Sequence, residues 1–103
     1  MEGRLSLDEL LRATLGNRVH YYFQPPTGYQ IEYPALIYRL DGFQDMHSNN
    51  RVYNRRHAYY LLLILDEPDN SLAETLDDLP YCHMSRTPYV NDNLYHYPFT
   101  IYY

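Results

Sequence analysis

Residues 93–103 read NLYHYPFTIYY, with Tyr95, Tyr97, Phe99, Ile101 and Tyr103 at every second position. Bulk at period two is the mark of a half-buried β-strand, because successive side chains leave a pleated strand on opposite faces. A strand over about 94–103 is therefore expected, tied into a sheet. Working back from it, HAYYLLLIL (57–65) is apolar at consecutive positions, which suits a strand in the middle of a sheet with both faces covered. Its length and the nearby Pro68 favour strand over buried helix.

Two helices are expected on this sheet. SLDELLRATLG (6–16) pairs Ser6 as N-cap with Glu9 in a capping box, repeats Leu7, Leu10, Leu11 and Leu15 at helical spacing, and stops at Gly16. That predicts a helix over about 6–15. DEPDNSLAETLDDLP (66–80) repeats the device with Ser71 and Glu74, sets Leu72, Leu76 and Leu79 on one face and ends at Pro80. The second helix is expected over about 71–79.

Between them VHYYFQ (19–24) reads as a strand closed by Pro25-Pro26, since neither proline can donate to a ladder. TGYQIEY (27–33) alternates Tyr29, Ile31 and Tyr33, and ALIYRL (35–40) is rich in strand formers. DGFQDMHSNNRVYNRR (41–56) is a long polar interval, expected to be a protruding hairpin or loop with Phe43, Met46, Val52 and Tyr53 on its stem. CHMSRTPYVNDN (82–93) fits a strand interrupted at Pro88. The order predicts one α+β domain over 1–103, with two helices on one face of a mostly antiparallel sheet and a long hairpin at about 41–56.

Composition narrows the function. Of 103 residues 14 are Tyr and none is Trp or Lys, so every one of the eight basic residues is Arg. Tyr and Arg supply planar, part-polar contacts that suit assembly surfaces. A net charge of -5 opposes general binding to phosphate backbones. The single cysteine, Cys82, fits a reducing compartment such as a cytoplasm, and neither a targeting signal nor a membrane anchor is expected.

Catalytic signatures are sparse. Cys82-His83 with His96 is the one soft-ligand grouping, and it lacks the paired close spacing of zinc sites. The acidic run 66–78 lacks the central Gly and closing Glu of a calcium loop. No nucleophile elbow or phosphate loop appears, so no catalytic residue, metal or cofactor is expected. Arg51, Arg55 and Arg56 interleave with Tyr53, Tyr59 and Tyr60 in the style of a single-strand binding surface, but the acidic balance favours protein pairing over a nucleic-acid module.

Taken in order, YYFQPP, YPALIY, the DEPD turn, LPYCHMSR and NDNLYHYPFTIYY resemble the pattern of a family of small siphophage proteins, the tail terminators or tail completion proteins, some of them labelled minor tail or minor capsid protein. The resemblance runs from Val19 onward and departs from the pattern across GFQDMHSNNRVYNRR. It implies a virion subunit that assembles in the host cytoplasm into a ring, commonly a hexamer. Such a ring caps the head-proximal end of the tail tube and joins tail to head, so the implied partners are further copies, the tail tube protein and neck or head-closure proteins. A head-closure or connector role is the alternative. An arm engaging the neighbouring subunit fits that role, and Met46, His47, Tyr53, Arg55 and Arg56 are the expected contacts. A negative surface would also let DNA pass through a ring without sticking.

Overall fold

The computed structural model describes residues 2–48, 51–68 and 70–103, with the side chains of 2–5, 41–48 and 51–56 outside that description. Its described residues form helix α1 (Glu2–Leu15), strands β1 (His20–Phe23), β2 (Ala35–Ser48) and β3 (Arg51–Leu65), helix α2 (Asn70–Asp77), and strands β4 (Cys82–Met84), β5 (Tyr89–Asn91) and β6 (Leu94–Tyr102). The strands make one sheet in the order β1-β2-β3-β6-β4, with β5 also paired to β6. Every pair but β1–β2 is antiparallel, so the chain is the expected α+β class.

Register decides which residues share a face. Leu36 and Tyr38 of β2 oppose Leu63 and Leu61 of β3, which in turn oppose Tyr97 and Phe99 of β6. With Tyr59, Leu65, Ile101 and Cys82 they form one buried layer, closed by Leu7, Leu11 and Leu15 of α1 and Leu72, Ala73 and Leu76 of α2. Both helices thus cover the same face. Each fully buried Leu, Ile or Phe contributes about 1.5–3 kcal/mol of transfer free energy, so this layer is the main source of stability.

A polar clamp fixes α1 to the sheet. Tyr38 Oη donates to Asp8 Oδ1 at 2.6 Å, and Arg12 Nε donates to Asp8 Oδ2 at 2.8 Å. The Arg12 guanidinium lies 4.5 Å from the centre of the Tyr21 ring, whose hydroxyl donates to the carbonyls of Gly16 (2.8 Å) and Leu11 (3.2 Å). Arg18 adds bonds to the carbonyls of Leu15 and Thr14. The last turn of a helix leaves carbonyls without intrahelical donors, and here side chains satisfy them. Gly16 leaves the helix at φ +63°, as the expected stop requires.

The helix starts differ from expectation. α1 begins at Glu2, four residues before Ser6, and α2 begins at Asn70, so Ser71 is its second residue. A cap contributes only about 1 kcal/mol and does not prevent an upstream turn from joining the helix. α2 also ends at Asp77, before Leu79 and Pro80.

TGYQIEY is not a strand. β1 runs parallel to β2, so the chain must return from Phe23 to Ala35, which lies opposite His20. A parallel pair cannot be joined by a tight hairpin, and residues 24–34 provide the return. Gly28 turns at φ +82°, and the Tyr33–Pro34 peptide is cis. The segment packs on β1 through Tyr29, whose ring meets Tyr22 edge-on at 5.7 Å, and through the Glu32 amide, which donates to Tyr22 Oη. Its alternation serves that contact. The tip of the hairpin expected at 41–56, and the side chains of its stem, lie outside the described residues; β2 and β3 pair antiparallel up to Ser48 and from Arg51, with shifts at Leu40/Gly42 and Met46/His47.

Candidate interaction surface

Strand β3 explains why this molecule has a second apolar face. Its consecutive apolar residues led to the expectation that both sides would be covered; the helix side is, and the other side is covered at Ile64 but only half-covered at Tyr60 and Leu62. Leu61, Leu63 and Leu65 are buried beneath the helices, whereas Tyr60 and Leu62 on the other side are only half-buried. Their cross-strand neighbours extend the same face: Tyr60 opposes Arg39 and Thr100, and Leu62 opposes Ile37 and Pro98. Ile37 and Thr100 are half-buried and Arg39 is exposed. Among the described residues no helix lies on this side. Apolar side chains left half-covered across neighbouring strands are the usual mark of an interaction site.

One end of the face is closed by the chain itself. Asp92 and Asn93 both take positive φ, +51° and +62°, which gives the tight two-residue turn that folds β5 back on β6. Tyr89 then stacks on His96 at 4.7 Å with ring planes 8° apart. His96 is buried, and its Nδ1 lies 3.0 Å from the Leu94 carbonyl; a carbonyl can only accept, so Nδ1 carries the proton. Ile64 and Pro98 are buried on the same side. The middle of β6 is accordingly buried on both faces, more than the half-burial its alternation suggested.

The open part holds a polar cleft of about 340 Å³ lined by Arg39, Tyr60, Ser85, Arg86 and Thr100. Arg39 is laid over the Tyr60 ring, its guanidinium carbon 4.9 Å from the ring centre, a cation–π contact. Ser85 is fixed by its amide bond to the Pro98 carbonyl at 3.0 Å. Arg39 also borders a second shallow cleft with Gln24, Pro25, Ile37 and Leu40. Gln24 there takes φ +45° and its side-chain oxygen accepts from the Leu40 amide. A third hollow, apolar and aromatic, lies at the other end of β6 between Leu10, Pro80, Tyr81, Tyr102 and Tyr103.

The structure separates the soft-ligand grouping. Alternation along β4 sends Cys82 into the core and His83 to the opposite side, where its ring stacks on Tyr102. Burial and the nearby Asp77 charge push the Cys82 thiol up to about 12, so it is a neutral core group. Among the described residues no group of three or more His, Cys, Asp or Glu is placed to hold a metal ion, and no helix is long and apolar enough to cross a membrane.

The expected contact residues Met46, His47, Tyr53, Arg55 and Arg56 have side chains outside the described residues. Of the Arg–Tyr interleaving, Tyr59 is buried under the helices and Tyr60 faces the open side, so the two do not share a surface. Sequence reasoning missed Arg39, Ile37, Leu62 and Arg86 as surface residues. The signal was present in the all-apolar run of β3 beside a chain with helices enough for only one face. No protein-family model matches the chain, and no curated protein matches it.

Proposed function

We propose that this chain is a structural virion subunit of the tail-terminator kind, which assembles into a ring, most simply a hexamer, at the head-proximal end of a tail tube. In that reading it meets further copies of itself, the tail tube protein and the neck proteins that close the head. It would be made in the host cytoplasm and kept in the particle, with genome DNA passing through the ring. The observation that carries the reading is the sheet face of Ile37, Tyr60 and Leu62, apolar in sequence and half-covered in the folded subunit. A subunit built to be covered by a neighbour leaves such a face, and the ordered motifs from YYFQPP to NDNLYHYPFTIYY add the resemblance to terminators.

Negative-stain imaging of the purified protein, alone and mixed with tail tubes, tests the proposal. Rings that cap one end of each tube are expected. Tubes with bare ends, beside a protein that stays monomeric at high concentration, would count against it.

A further inference from the structure

We propose that the Arg39–Arg86 cleft is a carboxylate-binding site, and that its occupant is the acidic edge of α2 on a second copy of this chain. The inference deepens the assembly reading above and rests on it for the identity of the occupant.

The cleft is made for an oxyanion. Arg39 and Arg86 line it together with the hydroxyl-bearing residues Tyr60, Ser85 and Thr100. Guanidiniums present forked donors that match a carboxylate, and Arg39 is already held in place by its stacking on Tyr60. Among the described residues, the ion pairs are Arg12–Asp8 and His20–Glu32, and neither involves these two arginines. Of the described acids, Glu32 reaches the open face only at its β1 edge, beside His20 and Tyr22. Strand residues 20–23, 35–40, 57–65, 82–84, 89–91 and 94–102 contain not one Asp or Glu.

The matching charge is on the opposite layer. Asp66, Glu67, Glu74, Asp77 and Asp78 are all exposed, and none takes part in those ion pairs. Glu74 and Asp77 border a common hollow with Asn70 and Met84 at the edge of α2. Met84 is adjacent in sequence to Ser85 of the cleft, so acid and arginine lie on the two sides of one short segment. Within one subunit, no ion pair of the described residues joins these acids to Arg39 or Arg86. They can meet between two. Such a contact is heterologous, because different patches face each other, and repetition of it closes a ring or extends a filament. Complementary potentials of this kind set register and partner choice.

The test is charge reversal read by sedimentation across a concentration series, with thermal melts of each variant in dilute solution as the folding control. Arg39→Glu with Arg86→Glu is expected to weaken self-association by about tenfold or more, as is Glu74→Arg with Asp77→Arg. Mixing the two double variants should restore a mixed pair, and wild-type association should weaken as salt is raised. If either double variant folds and associates as the wild type does, the cleft assignment is overturned while the assembly reading stands. A wild-type protein that stays monomeric with and without tail tubes overturns both. Retention of a labelled single-stranded oligonucleotide by Arg39 and Arg86, with self-association unchanged in the variants, would also overturn it.

Discussion

Truncating Leu61 and Leu62 to Ala, one at a time, separates the two faces of β3 by a measurable difference in stability. Leu61 is fully buried and opposes Tyr38 and Phe99, themselves 3% and 0% exposed. Removing it leaves a cavity in the buried layer, which costs about 2–5 kcal/mol in cores of this type. For a domain of this size 1 kcal/mol shifts the melting midpoint by roughly 4–8 °C, so a 3 kcal/mol loss lowers it by roughly 12–24 °C. Leu62 is half-buried on the open face. Half of the transfer free energy of a leucine is about 1 kcal/mol, and an open site leaves no cavity behind. The assay is thermal or urea unfolding in dilute solution, repeated at high protein concentration. In dilute solution Leu61→Ala should cost at least twice what Leu62→Ala costs. At high concentration the wild type should gain stability from association and Leu62→Ala should gain less. Equal losses for the two variants in dilute solution would refute the reasoning, because they would mean that the open face is already covered within the subunit.

Asp8→Ala removes the acceptor shared by Tyr38 and Arg12 and should destabilise the fold by about 1–3 kcal/mol in urea unfolding. Asn93→Val puts a β-branched residue at φ +62° and should cost about 1–2 kcal/mol, whereas Asn93→Gly should be neutral or stabilising; equilibrium unfolding reads both. The Cys82 thiol, held near 12 by burial and by Asp77, should react with a maleimide at pH 8 far more slowly in the folded protein than in urea. Its folded pKa lies above the unfolded value, so its contribution is complete below about pH 8.5 and is lost as pH rises from there toward about 12. Stability measured against pH over that window should fall more steeply for the wild type than for Cys82→Ala.

Strand β6 and the start of the core were legible because a period of two needs no tertiary information: Tyr97, Phe99 and Ile101 are buried as their spacing requires. Gly16 was equally legible, since its backbone freedom is a local property. TGYQIEY misled for the converse reason. Its alternation is real, but β1 pairs parallel to β2, and only the return path explains why the segment packs as an edge-side loop rather than a strand. Capping signals named the helices and missed their first residues, because a cap ranks below the continuation of the helix. The run HAYYLLLIL announced burial on both sides, and the folded subunit provides it fully on the helix side and on the other side only at Ile64. Arg39 and Arg86 lie 47 positions apart and meet only through the β2–β3–β6 register and the path of the chain after β4, so no local pattern could have joined them.

The proposed terminator role is tested most directly by tail length. Electron micrographs of particles assembled without this chain, with tails measured against the parent phage, should show tubes of irregular and excessive length that fail to join filled heads. Tails of normal, uniform length attached to full heads would contradict the account, and normal free tails beside leaking heads would move the chain from the tube end to the head portal.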